Sequence, residues 1–148
     1  MMERGTNQAT AGTRIVAPNR ETNHGDVFSF GDVTLRIHHY GLAHTPGDIC
    51  IEVVEDQLTH VGDVAMDRRI ANMDDGSYVG TFHFYDELEK NAPSRIWVPG
   101  HGHASAEVLK WNRELFEGIY QNCVRAVEDG ADMASARERV LADPRVAS

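Results

Sequence analysis

Three segments of this chain share one arrangement, and it constrains the fold more than any other feature. An apolar, strand-like run ends in a glycine-bearing turn, and a metal-capable side chain sits at that turn. Val33-Thr34-Leu35-Arg36-Ile37 leads to His44 within Gly41-Leu42-Ala43-His44-Thr45-Pro46-Gly47-Asp48. Gln57-Leu58-Thr59-His60-Val61 leads to Gly62-Asp63, and Arg95-Ile96-Trp97-Val98 leads to Pro99-Gly100-His101-Gly102. The three side chains are too far apart in sequence to chelate locally. Strands laid side by side would bring two imidazoles and a carboxylate to one edge of a sheet.

Composition sets the outer bounds. A chain of 148 residues is one ordinary domain, long enough to bury a core, and 41% hydrophobic against 25% charged residues is the balance of a folded protein. The net charge of −9, with no stripe of Lys or Arg, excludes nucleic acid as the expected partner. Cys50 and Cys123 belong to no close pair, so no disulfide framework or cysteine zinc cage is expected. Both read as buried small apolar residues. No run is long enough to span a bilayer, and Met1 to Gln8 is polar with no signal-type apolar core. That places the chain in the cytoplasm by default, or in the periplasm if a natural N-terminus with a signal peptide is missing.

Residues 1–14 read as a polar tail and 15–148 as the folded part. Ile15-Val16-Ala17 reads as a short edge strand, Val27-Phe28-Ser29-Phe30 as a strand, and Gly31-Asp32 as a turn into a strand from Val33 to Tyr40. Ile49 to Val54 and Gln57 to Val61 form a second hairpin about Glu55-Asp56. Its first arm is nearly continuously apolar, as suits a strand buried on both faces. Val64 to Gly76 is irregular and rich in breakers. A helix fits Gly80 to Lys90, with Tyr85 and Leu88 on one face and Phe84 beside them, closed by Asn91-Ala92-Pro93. After the strand Ile96-Trp97-Val98, Ser105 is the expected N-cap of a long helix ending at Gly130. Its apolar face is expected to carry Leu109, Phe116, Ile119, Cys123 and Val127. Asp132 caps a last short helix that Pro144 closes.

Histidine nitrogen and aspartate oxygen suit borderline divalent metals such as zinc, iron(II) and manganese, and a carboxylate can bridge two ions. The glycines beside each candidate permit the tight turns that aim ligands inward. The motifs His44-Thr45-Pro46-Gly47-Asp48, Gly62-Asp63 after a strand, and Pro99-Gly100-His101-Gly102 resemble, in that order, the last three metal motifs of the metallo-β-lactamase superfamily. The likeness runs from Gly25 to the long helix and is nearest to the hydroxyacylglutathione-hydrolase-like branch of zinc metallohydrolases. It implies an α/β fold, the C-terminal half of an αββα sandwich with the metal site at the sheet edge. It also implies that His44 serves the first of two zinc ions, His101 the second, and that Asp63 bridges both. The activity implied is hydrolysis of an ester, thioester or lactone-type bond in a small-molecule substrate by metal-activated water.

The chain also departs from the pattern. The superfamily's His-x-His-x-Asp-His motif belongs upstream of His44 and does not occur; His101-Gly102-His103 is followed by Ala104-Ser105-Ala106 instead. What remains gives two protein ligands per ion, where a catalytic zinc takes about three. An N-terminally truncated hydrolase is the first expectation. The second is a catalytically inactive half-domain that pairs as a homodimer or with a complementing N-terminal half, and the third a mononuclear iron(II) dioxygenase-like member using His44, Asp63 and His101 as a facial triad.

The other histidines have plainer readings. His38, His39 and His60 read as pleat residues, and alternation forbids His38 and His39 the same side of a strand. His24 and His83 read as surface residues, and His103 as a helix-entry residue. Asp48 is placed to bond within the His44 turn, and Asp74 and Asp75 read as solvated loop charges.

Overall fold

The computed structural model describes residues 12–14 and 16–147. Four antiparallel strands come first: β1 (Val27–Phe30), β2 (Val33–His38), β3 (Cys50–Val53) and β4 (Leu58–Gly62). Helix α1 (Tyr78–Asn91) then carries the chain to β5 (Ile96–Pro99), which lies parallel to β4, a βαβ unit at the end of a meander. The sheet order is β1-β2-β3-β4-β5. Helices α2 (Val108–Glu128), α3 (Met133–Ala142) and α4 (Pro144–Ala147) complete the chain. This mixed sheet of hairpins, a βα unit and C-terminal helices is the α/β architecture the sequence predicts.

Register sorts the strand residues onto two faces. Arg36, Glu52, Thr59 and Trp97 stand in one row across β2 to β5, with Cys50 and Val61 on the same side. Against this side pack Phe84, Tyr85 and Leu88 of α1 and Val108 and Leu109 of α2, all buried. Ser77 caps α1, its side chain accepting from the Gly80 amide at 3.0 Å. Two buried polar groups then fix the loop after β4. The Tyr85 hydroxyl donates to the Val64 carbonyl at 2.8 Å, and Asn112 of α2 accepts from the Met66 amide at 3.1 Å while its own amide donates to the Met66 carbonyl.

Within the helix-covered face lies a buried charge. Glu52 and His38 are each 2% exposed, and His38 Nε2 donates to Glu52 Oε2 at 2.9 Å. Arg36 donates to the same oxygen at 2.9 Å, and His38 Nδ1 lies 3.0 Å from the Tyr40 hydroxyl. A carboxylate hidden from water needs such partners.

Several expectations are corrected. Val16 and Ala17 lie in no strand, and Ile15 and most of the expected polar tail fall outside the described residues. Strand β2 stops at His38, because the chain turns there into the His44 loop. Strand β3 is not buried on both faces: Cys50 and Glu52 are buried, whereas Ile51 and Val53 keep part of their surface. Ser105 bridges to Trp97 and accepts from the Glu107 amide at 3.2 Å, so α2 starts later, at Val108. Cys123 is exposed and Val127 is 79% exposed. The second half of α2 runs past the sheet and meets α3 and α4 instead. Pro144 opens α4 as its first residue rather than ending the chain's helices. At the end of α2, Gly130 adopts φ +64° and the Ala131 amide reaches back to the Ala126 carbonyl at 2.8 Å, the left-handed close expected there. Cys50 is buried as expected, and both cysteines are free.

Candidate metal centre

Because β3 runs opposite to β2 and β4, strands β2, β4 and β5 all point the same way and end at one edge of the sheet. The three motifs follow those three ends, so His44, Asp63 and His101 meet there. This edge is also where ligands bind in sheets with parallel strands.

Each motif is held by a different device. In the His44 loop, Asp48 accepts from the Thr45 amide and the Thr45 hydroxyl, both at 2.7 Å, as its position in the turn suggests. Ser77 at the start of α1 donates its amide to the Ala43 carbonyl at 2.8 Å. Gly76 makes that contact possible, since a Cβ there would lie 2.7 Å from the Ala43 oxygen and 2.9 Å from the His44 oxygen. Asp63 follows a β-bulge at the end of β4, with Gly62 at φ +54°. Gly100 donates its amide to the Gly62 carbonyl at 2.7 Å, and the Asp63 carboxylate occupies the space a Cβ on Gly100 would fill.

A residue without any motif holds the third loop. Asp67 accepts from the His103 amide at 3.0 Å, and its own amide donates to the His101 carbonyl at 2.9 Å. Nothing in its sequence neighbourhood announces this role, because its partners lie on a loop far along the chain. His103 itself has a side chain 98% exposed, beside Asp67 at 3.4 Å and away from the three candidates.

The Asp63 carboxylate is divided between the two histidines. His44 Nε2 lies 3.8 Å from Oδ2 and His101 Nε2 lies 3.7 Å from Oδ1. Both separations exceed hydrogen-bonding distance. Two ligands on one tetrahedral zinc, each at about 2.1 Å from it, stand about 3.4 Å apart, so each pair is near the spacing of a ligand pair. Side-chain exposure rises from 20% at His44 through 38% at Asp63 to 49% at His101. His44 Nδ1 is buried without a hydrogen-bond partner.

The donor set fits as two imidazole-carboxylate pairs sharing one carboxylate. It does not close around one ion: among the described residues no group of three or more His, Cys, Asp or Glu side chains forms a metal cage. Each imidazole faces a different oxygen of the Asp63 carboxylate. Two clefts flank the edge, one of about 220 Å³ lined by His44, Thr45, Asn72, Asp74 and Asp75, the other of about 290 Å³ reaching Asp67, Arg68 and His103. Among the described residues no helix is long and apolar enough to cross a membrane.

No protein-family model matches the chain, and no curated protein matches it in sequence. Solved structures do match. A metallo-beta-lactamase from Pontibacter korlensis aligns with a TM-score of 0.64 and 18% identity over 74% of this chain and 53% of its own. The structure of VMB-1 at pH 5.5 aligns at 0.53 and 19% identity over 65% and 46%. That of TMB-1 aligns at 0.55 and 21% identity over 66% and 47%. The chain has a partial metallo-β-lactamase fold and spans about half the length of these structures.

Proposed function

We propose that this chain carries the C-terminal share of a two-zinc hydrolase site, with His44 a ligand to one ion, His101 to the other and Asp63 bridging them. The observation that carries the reading is the split of one carboxylate between two imidazoles, at 3.8 and 3.7 Å, on the edge where three strands end. The order of the three motifs supports the C-terminal assignment. The substrate class is a small molecule with an ester, thioester or lactone-type bond. Bound zinc would supply Lewis acidity, lowering the pKa of a water and stabilising charge on a carbonyl oxygen.

The chain's own residues have the positioning work. Gly100 leaves room for the Asp63 carboxylate, and Asp48 and Ser77 hold the backbone that presents His44. The clefts beside His44 and Asp67 are of a size to take a small acyl compound.

The test is elemental analysis of protein purified without chelators or a metal-affinity column, wild type beside Asp63→Ala, with circular dichroism to verify that both fold. The reading expects zinc near stoichiometry in the wild type and its loss in Asp63→Ala, followed by zinc-dependent turnover in a panel of esters, thioesters and lactones. A folded protein with little metal in either form overturns it.

A further inference from the structure

The face of the sheet opposite the helices is mostly apolar, with His60 the polar side chain in its rows. The register places Phe28, Leu35, Val53, Leu58 and Ile96 in one row across all five strands. Beside it Ile37, Ile51, His60 and Val98 form a second row, and Phe30 and Val33 pair beyond the first. Apart from Ile37, which is 4% exposed, these residues keep part of their surface, and none belongs to the two buried clusters, whose sheet members come from the other face. Phe30 is 64% exposed, Ile96 37% and Val33 36%. At the β1 edge the Arg20 guanidinium sits 4.7 Å over the Phe28 ring. An ordinary β-layer covers such a face with a second layer.

We propose that this face is covered by the same face of a second copy of the chain, two five-stranded sheets packing into a sandwich with the helices outside. Two observations favour a copy over an unrelated partner. The chain carries a net charge of −9, yet the strand residues of the face include no Asp, Glu, Lys or Arg, and Arg20 over Phe28 sets a charge at its β1 edge alone, so two copies meet across the centre of the face with no like charges pressed together. The geometry suits it as well, because twisted sheets pack face to face at about −30°, an arrangement a sheet can make with its own copy.

Size agrees. Five strands at about 4.8 Å spacing and about 16 Å of strand length give about 400 Å² in projection per copy. With side chains interdigitated, the two copies bury about 1,000 Å² in total, near the lower limit for a specific interface. The chain spans about half the length of the matching solved structures; a sandwich of two copies gives the sheet a second layer. It also sets two sets of His44, Asp63 and His101 in one assembly.

The experiment is sedimentation velocity on the wild type and on Ile51→Lys, which puts an ammonium in the middle strand of the face, over a wide range of protein concentration. Phe30→Lys is the second variant, at an edge position exposed enough to be accommodated in the folded monomer. The proposal expects a wild-type particle at twice the 16.5 kDa chain mass. It also expects the dimer dissociation constant to rise at least about a hundredfold in Ile51→Lys, with circular dichroism unchanged. A folded wild type that stays monomeric at every concentration overturns it. So does a dimer that neither variant weakens, since that dimer uses another surface. Asp63→Ala lies off the face and is expected to remain dimeric, which separates failure here from failure of the metal reading.

Discussion

Replacing Gly100 by alanine tests both the fold of the sheet edge and the role of Asp63. A Cβ built there would lie 2.8 Å from the Gly62 carbonyl carbon and 3.0 Å from the Asp63 amide nitrogen, and would overlap Asp63 Oδ1. Non-bonded heavy atoms settle at about 3.5 Å or more, so backbone must yield by about 0.5–0.7 Å and the carboxylate by more. The 2.7 Å bond from the Gly100 amide to the Gly62 carbonyl joins the same two loops, so the strain cannot relax through a flexible side chain. Overpacking of this kind costs about 1–3 kcal/mol, which for a chain of this size lowers the melting temperature by about 3–10 °C. Because the displaced group is the proposed bridging ligand, zinc affinity should fall about tenfold to a hundredfold, as when a ligand's support is lost. The assay is thermal denaturation at fixed protein concentration together with zinc competition against a chromophoric chelator. Gly47→Ala is the control, since a Cβ there meets nothing within 4 Å; it should change stability by less than about 0.5 kcal/mol. Wild-type melting and wild-type zinc affinity in Gly100→Ala would refute the reasoning.

Three further outcomes are expected. His38→Ala removes one of the two donors to Glu52 Oε2 and leaves Arg36 as the other, and should cost about 1–3 kcal/mol in urea unfolding. Alkylation of the native protein should modify Cys123 alone, because Cys50 is buried and its thiol is pushed far above the usual range by burial; peptide mass analysis should find both modified only in denaturant. Asp143 accepts from Arg145 at 2.7 and 3.0 Å and from Asn122 at 2.7 Å, which holds its carboxyl far below the usual carboxylate range. Its contribution should therefore be fully present above about pH 4 and be lost as pH falls toward the depressed value, so wild type and Asp143→Asn should converge in acid denaturation.

The sequence carried the site's three members better than their supports. His44, Asp63 and His101 stand in words of glycine and proline that fix local backbone, and local backbone is what a sequence encodes most directly. The bond from Asp48 to Thr45 is legible for the same reason, since both groups lie in one turn. Asp67 and the Glu52–His38 pair are not legible, because each depends on which segments lie side by side. Glu52 is an acid within an apolar run, and only the register that places it across from Arg36 and near His38 explains its burial. Helix α2 misled for a different reason. Its apolar spacing continues to Val127, but 21 residues make a rod of about 31 Å, longer than the sheet it packs on. Periodicity gives a face; it does not give how far the neighbouring layer extends.

The two-residue alternation of the strands links the candidate site to the uncovered face. One set of alternating residues meets α1 and α2, which fixes the sheet rigidly enough for three loops to converge at its edge; the other set, apart from the buried Ile37, keeps part of its surface exposed. Asp63 sits at the edge between these sides, in a loop braced by Tyr85 and Asn112 from the helix layer. The His44–Asp63–His101 geometry therefore draws its rigidity from the covered face and does not require the other to be filled. Zinc binding at low affinity by the monomer, strengthened as concentration drives dimer formation, would mean that the second layer contributes to the site. Affinity independent of concentration through the dimer transition would mean that each copy binds metal with its own three side chains and that the apolar face serves association alone.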